Sequence, residues 1–300
     1  MSAPNISDWP KIEDEALTIF RKLLTFDTSN PPGNEGPAVH YVRALLEAEG
    51  LQPVVVEDEP GRPNLVLRIP GAGTGPSLML DSHADVVPVA DQKWSVPPFA
   101  AEVKDGCVWG RGAVDMKHMT AMSVAVALTV VRHKIPLKGD LVVTVTADEE
   151  CGSRHGAFFL VEKHADLIQT DYALGEVGGM NIFVGEKRIY PVQCAEKGIA
   201  WLKLTLTGEG GHGSVPRKDT VPKKLTRLLH ELTRISFPIE PHVAVQAFLG
   251  HLADASGFPN AVVLKLIRSG KGASLLLDKL VPEERSAPIK EMLSHTMQPT

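Results

Sequence analysis

Residues 77–150 constrain the fold of this chain more than any other part of the sequence. Two apolar runs, residues 78–80 and 141–147, are predicted as strands buried in a sheet. Residues 119–131 lie between them and are apolar almost all round a helix, which is typical of a helix packed against a sheet. This order of strand, buried helix and strand predicts an α/β fold, with helices packed on a mixed sheet.

Shorter elements precede and follow this region. Helical spacing of apolar residues predicts an amphipathic helix over residues 11–26 and a second helix that ends before Gly50, which is placed for a left-handed cap. Further predicted elements are strands at residues 53–56, 64–69 and 172–175 and a helix at residues 157–163. The connection 86–110 is predicted as a functional loop, because structureless connections of that length are uncommon in compact domains.

A change of pattern near residue 192 predicts a domain boundary. Residues 198–208 alternate between apolar and polar side chains, which indicates a half-exposed antiparallel strand. Thr220 then precedes an amphipathic helix with Pro222 in its first turn. We therefore predict a first α/β domain over residues 1–192 and a second, smaller α+β domain over residues 193–300.

Charge and composition argue against several classes of partner. The formal net charge is −5 and no dense basic run occurs, so neither nucleic acid nor an anionic membrane is expected. Residues 1–15 do not resemble a signal peptide, and no apolar run reaches the roughly 18 residues of a spanning helix, so a cytoplasmic location is expected. The three cysteines form no CxxC pair, which argues against a disulfide framework, and they are expected at buried apolar positions.

Potential metal ligands follow the predicted strands and the loop before the central helix. The candidates are His83, Asp85, Asp115, Glu149, Glu150 and Glu176. Open α/β sheets bind ligands at the carboxyl ends of their strands, and zinc takes imidazole nitrogen and carboxylate oxygen. These side chains are therefore consistent with a two-metal hydrolytic site.

Local spacing suggests what each candidate can do. Asp85 is two residues from His83 on an extended segment, so it points to the same side and can hold the second ring N–H of His83. Asp115 is placed to bridge two metals. Glu149 and Glu150 diverge if their backbone is extended, so one can bind metal while the other acts as general base. The same residues also fit a satisfied core pair and a solvated acidic turn, and spacing alone leaves both interpretations open.

Four segments carry a resemblance to a known family. They are LDSHADVVP at residues 80–88, WGRGAVDMK at 109–117, DEE at 148–150 and GHGSVP at 211–216. In this order they resemble the zinc metallohydrolase and peptidase family of aminoacylase, acetylornithine deacetylase, succinyl-diaminopimelate desuccinylase and glutamate carboxypeptidase. The resemblance implies a zinc-peptidase-like domain, a lid that often forms a homodimer, and hydrolysis of amide bonds beside a carboxylate-bearing amino acid.

The resemblance also implies a ligand set for two zinc ions, with cobalt or manganese as alternative metals. Asp115 would bridge the two ions. His83 and Glu176 would complete one site, and Glu150 would bind the other ion. The peptide bond between Asp115 and Met116 is expected to be cis.

Three further roles follow from the same resemblance. Asp85 would orient His83, and Glu149 would be the general base and acid. His212, in the lid, would stabilise the oxyanion, in the family frequently from the partner subunit. A two-metal phosphoesterase is a distant alternative. It would need basic side chains near the site to neutralise a phosphate, and these motifs offer Arg111 and Lys117 alone.

One part of the family pattern has no counterpart in this sequence. Family members return to the catalytic domain after the lid and supply a last histidine ligand, whereas residues 193–300 resemble lid sequence throughout. The expectation is a metal-binding catalytic domain that lacks its C-terminal part, followed by an incomplete lid. The leading function is a two-zinc hydrolase acting on N-acyl amino acids or small peptides. The alternative is a catalytically impaired member that acts as a fold or dimerisation module.

Overall fold

A computed structural model divides the chain into two compact units. The residues it describes are 8–90, 92–176, 178, 181–270, 273–280 and 283–299. The first unit is Met1–Glu176 and the second is Val177–Thr300. This division falls ahead of the domain boundary predicted near residue 192. The assignment of a catalytic domain and a lid to these units stays a prediction.

A five-stranded mixed sheet forms the centre of the first unit. The strands of this unit are β1 (Val54–Glu57), β2 (Pro63–Ile69), β3 (Leu78–His83), β4 (Glu102–Lys104), β5 (Cys107–Trp109), β6 (Leu141–Thr146) and β7 (Tyr172–Leu174). The sheet has the order β1-β2-β6-β3-β7; β1, β2 and β6 pair antiparallel, whereas β6, β3 and β7 run parallel. β4 and β5 form a separate hairpin inside the connection predicted as a loop.

Helices cover both faces of this sheet, as the α/β prediction requires. They are α1 (Trp9–Leu24), α2 (Gly36–Ala48), α3 (Lys117–Arg132), α4 (Ala157–Lys163) and α5 (Ala165–Ile168). Strand side chains alternate between faces, so Leu65 and Val143 pack with α1, α2 and α3, while Val66 and Val142 pack with Leu160 of α4. The predicted mixed sheet flanked by helices is confirmed.

The predicted helix patterns correspond to the observed burial. α1 is amphipathic and buries Ile19, Leu23 and Leu24. α2 ends before Gly50, which adopts the expected left-handed conformation with φ +77°. α3 is buried along most of its length, which explains its nearly uniform apolar sequence.

The second unit consists of a hairpin and five described helices. These are β8 (Ile182–Val184), β9 (Lys187–Ile189), α6 (Val221–Leu232), α7 (Val243–Ala255), α8 (Asn260–Arg268), α9 (Ala273–Leu280) and α10 (Glu283–Leu293). Thr220 is the N-cap residue of α6, as the sequence predicts. A small core joins α7 to α10 through Leu249, Ile267, Leu277 and Leu293.

The strand predicted over residues 198–208 is not observed. This segment has no helix or strand, and most of its apolar side chains are exposed, with Ile199 at 76% and Trp201 at 69%. Alternation specifies two faces of a strand, but a strand also needs a neighbour for its backbone hydrogen bonds. Among the described residues, no segment pairs with it.

The cysteines and the helix lengths bear on two further expectations. The three cysteines are free, but Cys107 and Cys194 are exposed rather than buried. Cys107 begins β5 of the small hairpin, outside the main sheet and its core. Among the described residues, every helix is too short or too polar to cross a membrane.

Candidate metal centre

The candidate residues of the first unit meet at one edge of the sheet. β6, β3 and β7 are parallel neighbours, so their carboxyl ends lie side by side. His83 ends β3, Glu149 and Glu150 follow β6, and Glu176 follows β7. Open α/β sheets bind their ligands at this edge.

His83 is the centre of the resulting cluster. Its Nε2 atom lies 3.0 Å from Asp115 Oδ1 and 3.6 Å from Glu176 Oε1. Glu149 Oε2 is slightly farther from the same nitrogen, at 3.8 Å. Ligand atoms of His83, Asp115 and Glu176 lie within 4.8 Å of one another, and in the described part of the chain they are the one such group of three.

This donor set suits a divalent transition metal. One imidazole nitrogen and two carboxylate oxygens are ligands that zinc accepts, and catalytic zinc sites have three protein ligands and an open position. The side chain of His83 is 2% exposed and that of Asp115 is 61% exposed, so the cluster is open to solvent on the Asp115 side. Cobalt and manganese accept the same types of donor.

The backbone carbonyl and the side chain of Asp85 orient the imidazole of His83. Its Nδ1 atom lies 3.0 Å from the carbonyl oxygen of Asp85 and 3.3 Å from Asp85 Oδ1. Both neighbours are acceptors, so a ring that binds metal through Nε2 would carry its hydrogen on Nδ1. Nε2 is then available to a metal, which is the arrangement expected of a ligating histidine.

Asp115 is placed by the turn between the β4–β5 hairpin and α3. The Asp115–Met116 peptide bond is cis, as the family resemblance implies. Gly112 has φ +85°, and a Cβ atom there would lie 2.8 Å from Val86 Cγ1. The turn therefore requires glycine at this position for both its conformation and its close packing.

Glu149 and Glu150 are not on the extended backbone that would continue strand β6. They lie in a 3₁₀ turn, Glu149–Cys151, which begins after Asp148 in the left-handed region at φ +66°. Asp85 turns the chain here, because its carboxylate accepts the N–H groups of Glu149 and Glu150 at 3.1 and 3.0 Å. The two side chains still diverge: Glu149 approaches His83, whereas Glu150 Oε1 accepts the N–H of Val87 at 3.2 Å.

Negative charge is concentrated in this cluster. Burial lowers the pKa of His83, but hydrogen bonds to Asp115 and Asp85 outweigh burial and raise that pKa to about 12. Burial, with the nearby charge of Asp115, raises the pKa of Glu150 to about 7. Burial also raises the pKa of Glu149. A divalent cation would neutralise the carboxylates that surround this single imidazole.

His212 belongs to the second unit. Its Nδ1 atom lies 2.7 Å from Ser214 Oγ, and its side chain is exposed. The proposed lid role of His212 stays a prediction.

Sequence reasoning missed a set of buried residues that support the cluster. They are Asn30, Glu35, Arg62, Asn64 and Asp148. In the sequence, Asn30 lies in a segment typical of a helix break, and Asp148 is the first residue of an acidic triplet. Their contacts depend on the pairing of β2 with β6, which no local pattern reveals.

Comparison with known sequences identifies the family. The profile described as peptidase family M20/M25/M40 matches residues 79–274, which include His83, Asp115, Glu176 and much of the second unit. The chain belongs to this family. The segments that carried the resemblance in the sequence lie within the matched range.

The relatives of this M20/M25/M40 family member include two kinds of named enzyme. Aminoacylase-1B of Rattus norvegicus is 32% identical over 231 residues, which cover 75% of this chain and 55% of the relative. Succinyl-diaminopimelate desuccinylase of Bradyrhizobium sp. is 36% identical over 229 residues, or 73% of this chain and 57% of the relative. The chain thus spans about half the length of the curated relatives it matches. Among solved structures, human carnosine dipeptidase 1 aligns with a TM-score of 0.48 and 19% identity, over 55% of this chain and 39% of that one.

Proposed function

We propose that the chain contributes the active site of a two-zinc hydrolase that cleaves the amide bond of N-acyl amino acids or small peptides. The observation that carries the proposal is the approach of His83, Asp115 and Glu176 at the carboxyl ends of parallel strands. Family membership supports a metal-dependent hydrolase. The names of the relatives, aminoacylase and succinyl-diaminopimelate desuccinylase, support acylated amino acids as the substrate class.

Four residues would hold the metals in this proposal. His83 and Glu176 would bind one zinc ion, Glu150 the other, and Asp115 both. Zinc bound there would supply a Lewis acid that polarises a carbonyl group and makes water a stronger acid. Asp85 keeps Nε2 of His83 directed at the cluster through its contacts with Nδ1.

Glu149 is the proposed general base and acid. Its carboxylate lies at the edge of the cluster, 3.8 Å from His83 Nε2, and its side chain is 46% exposed, so water and substrate can reach it. It would take a proton from the attacking water and deliver it to the leaving amine.

His212 is proposed to stabilise the charge that develops on the carbonyl oxygen. Its Nδ1 atom accepts the N–H of Ser214 at 3.4 Å, which leaves the hydrogen of a neutral ring on Nε2. An N–H donor of this kind is suited to an oxyanion. A homodimer formed through the second unit and a cytoplasmic location are further parts of the proposal.

Metal content and turnover of the purified 300-residue chain test this function. We expect two zinc ions per chain by elemental analysis and hydrolysis within a panel of N-acetyl amino acids and dipeptides. Glu149→Ala should lower kcat about 10²–10⁴-fold, because it removes general base catalysis, and should leave the zinc content unchanged. Glu162→Ala, an exposed acid of α4, is the matched control.

One observation favours the alternative of a catalytically impaired family member. The three-residue group in the described part of the chain contains a single imidazole, and Glu150 lies outside that group. One zinc ion or none per chain, without turnover on the panel, would support a fold or dimerisation module instead of a hydrolase.

A further inference from the structure

A network of charged and amide side chains lies buried directly behind the metal cluster. Its members are Asn30, Glu35, Arg62, Asp85 and Asp148, each no more than 7% exposed. Removing ionised groups from water is energetically unfavourable, and apolar residues of similar size often stabilise a protein equally well. Stability alone therefore does not account for this network, which joins residues 30–35, Arg62 and Asp148 to Asp85 at the site.

Arg62 is the cation of the network. Its Nη2 atom donates to Glu35 Oε1 at 2.7 Å, and its Nε atom donates to Glu35 Oε2 at 3.2 Å. The same Nη2 atom lies 3.1 Å from Asp148 Oδ1. Leu65 of β2 pairs with Val145 of β6, so the same antiparallel register places Arg62, just before β2, opposite Asp148, the second residue after β6. The planar guanidinium can hold both carboxylates at once, which an ammonium group cannot do with the same geometry.

Every hydrogen-bonding group of Asp148 that faces the interior has a partner. Its N–H donates to Glu35 Oε1 at 3.3 Å, its Oδ2 accepts the N–H of His155 at 3.1 Å, and its Oδ1 accepts from Asn30 Nδ2 at 3.0 Å. A non-glycine residue at φ +66° persists where its surroundings hold it there. This left-handed residue begins the turn that carries Glu149.

We infer that Arg62 is a positioning residue, which acts through Glu35 and Asp148 to fix the turn that presents Glu149 and Glu150 to the metal cluster. The inference rests on the proposed function for the roles of those two acids. Arg62 itself does not contact His83, Asp115 or Glu176 in the described hydrogen bonds and ion pairs. Loss of the guanidinium should therefore loosen the turn and leave the group formed by those three residues in place.

Hydrogen exchange of the backbone amides of Glu149 and Glu150 tests the inference directly. Both N–H groups are bonded to Asp85, so their exchange reports how firmly the turn is held. In Arg62→Met, measured on the full chain in EDTA, we expect exchange in this turn about tenfold or more faster than in wild type. Exchange within β6 should be unchanged. Since neither zinc nor substrate is present, the result does not depend on whether the chain is a hydrolase.

Arg68→Met is the matched control. Arg68 lies near the other end of β2, where it pairs with Asp140 at 2.8 Å, so this variant also removes an arginine–aspartate pair from the same strand. It should leave exchange in the turn unchanged. Equal acceleration in both variants, or no acceleration in Arg62→Met, would overturn the inference.

A conservative variant decides the matter if Arg62→Met does not fold. Arg62→Lys keeps the charge but loses the two-point contact with Glu35, and we expect exchange in the turn about threefold or more faster than in wild type. Exchange at the wild-type rate in a folded Arg62→Lys chain would count against Arg62 as a positioning residue.

Zinc titration supplies a second measurement. A purely structural role of Arg62 would not weaken one zinc ion selectively. If the chain binds two zinc ions, Arg62→Lys should weaken the weaker of the two about 10–100-fold, as loss of outer supports commonly does, and leave the tighter one unchanged. Equal weakening of both ions would indicate a general loss of structure and contradict selective positioning. If wild type binds fewer than two ions, the proposed function fails, whereas the exchange result stands by itself.

Discussion

Asp85 is the residue whose contacts join most parts of the candidate site. It is fully buried, and its carboxylate accepts the N–H groups of Glu149 and Glu150 and the amide of Asn30 at 2.8 Å. Burial raises the pKa of Asp85, but hydrogen bonds from His83 and Asn30 outweigh burial and lower it. One carboxylate thus orients His83, the proposed ligand, and closes the turn that carries the proposed base.

Asp85→Asn is expected to lower zinc affinity about 10–100-fold, since the amide replaces one acceptor oxygen with a donor that faces other donors. Competition against a chromophoric chelator measures this change. Asp166→Asn, at an exposed position of α5, is the control and should bind zinc as wild type does. Equal affinity of both variants would contradict an orienting role for Asp85.

Asp140 provides a pH-dependent contribution to stability away from the site. Hydrogen bonds from the N–H of Gly71 at 3.0 Å and from Arg68 at 2.8 Å lower its pKa. A carboxyl group with a lowered folded-state pKa stabilises above its unfolded pKa of about 4, and that stability is lost as pH falls through the folded value. Asp140→Asn should therefore lower Tm at pH 7, and its difference from wild type should shrink as the pH approaches 3. Thermal unfolding followed by circular dichroism checks this; a difference independent of pH would refute it.

At the level of elements, the segment between β6 and α4 is held against the strand it leaves. A Cβ atom on Gly156 would lie 1.8 Å from the carbonyl oxygen of Ala147, so the chain returns to the end of β6 at van der Waals contact. His155, beside this glycine, donates its N–H to Asp148, and its carbonyl accepts from Asn64 Nδ2 at 2.8 Å. The element that carries the proposed base is therefore fixed at both of its ends.

Gly156→Ala should lower the free energy of unfolding by about 1–3 kcal/mol, because the added methyl group must displace backbone rather than a flexible side chain. Gly198→Ala is the control, since nothing lies within 4 Å of a Cβ atom there, and it should change stability by less than about 0.5 kcal/mol. Urea unfolding of the two variants measures the difference. Comparable stability of both would show that the backbone contact relaxes without strain.

For the whole molecule, the two units differ in how their backbones are held. The first has a sheet with helices on both faces, whereas the second contains a stretch, residues 190–212, without helix or strand. Proteases cleave an exposed backbone of this kind more readily than a sheet, because few backbone hydrogen bonds hold it in place.

Limited digestion with trypsin should cut first after Lys197 and Lys203, which lie in this exposed stretch. The sheet and helices of the first unit should persist as a larger fragment, identified by mass spectrometry. Early cleavage after Arg68 or Arg132, inside the first unit, would contradict this distribution of local stability.

Local sequence pattern by itself determined a large part of this fold. The apolar periodicity of α1, α3 and β6 depends on neighbouring residues alone, so each was predictable within a few residues of its observed ends. The types and order of His83, Asp115 and Glu176 pointed to a metal site because strand ends of an α/β sheet converge. Membership of the metallohydrolase family was likewise evident from its motifs.

Tertiary structure decided what depends on pairing between distant segments. The turn at Glu149 and Glu150 is helical rather than extended because Asp85 and Asp148, which no local pattern links, bend it. Arg62 reaches Asp148 only through the register of β2 against β6. Residues 198–208 have the alternation of a strand but no neighbour in the described chain. Hydrogen bonds and buried charges need a partner in space, and a sequence pattern specifies one side of each such pair.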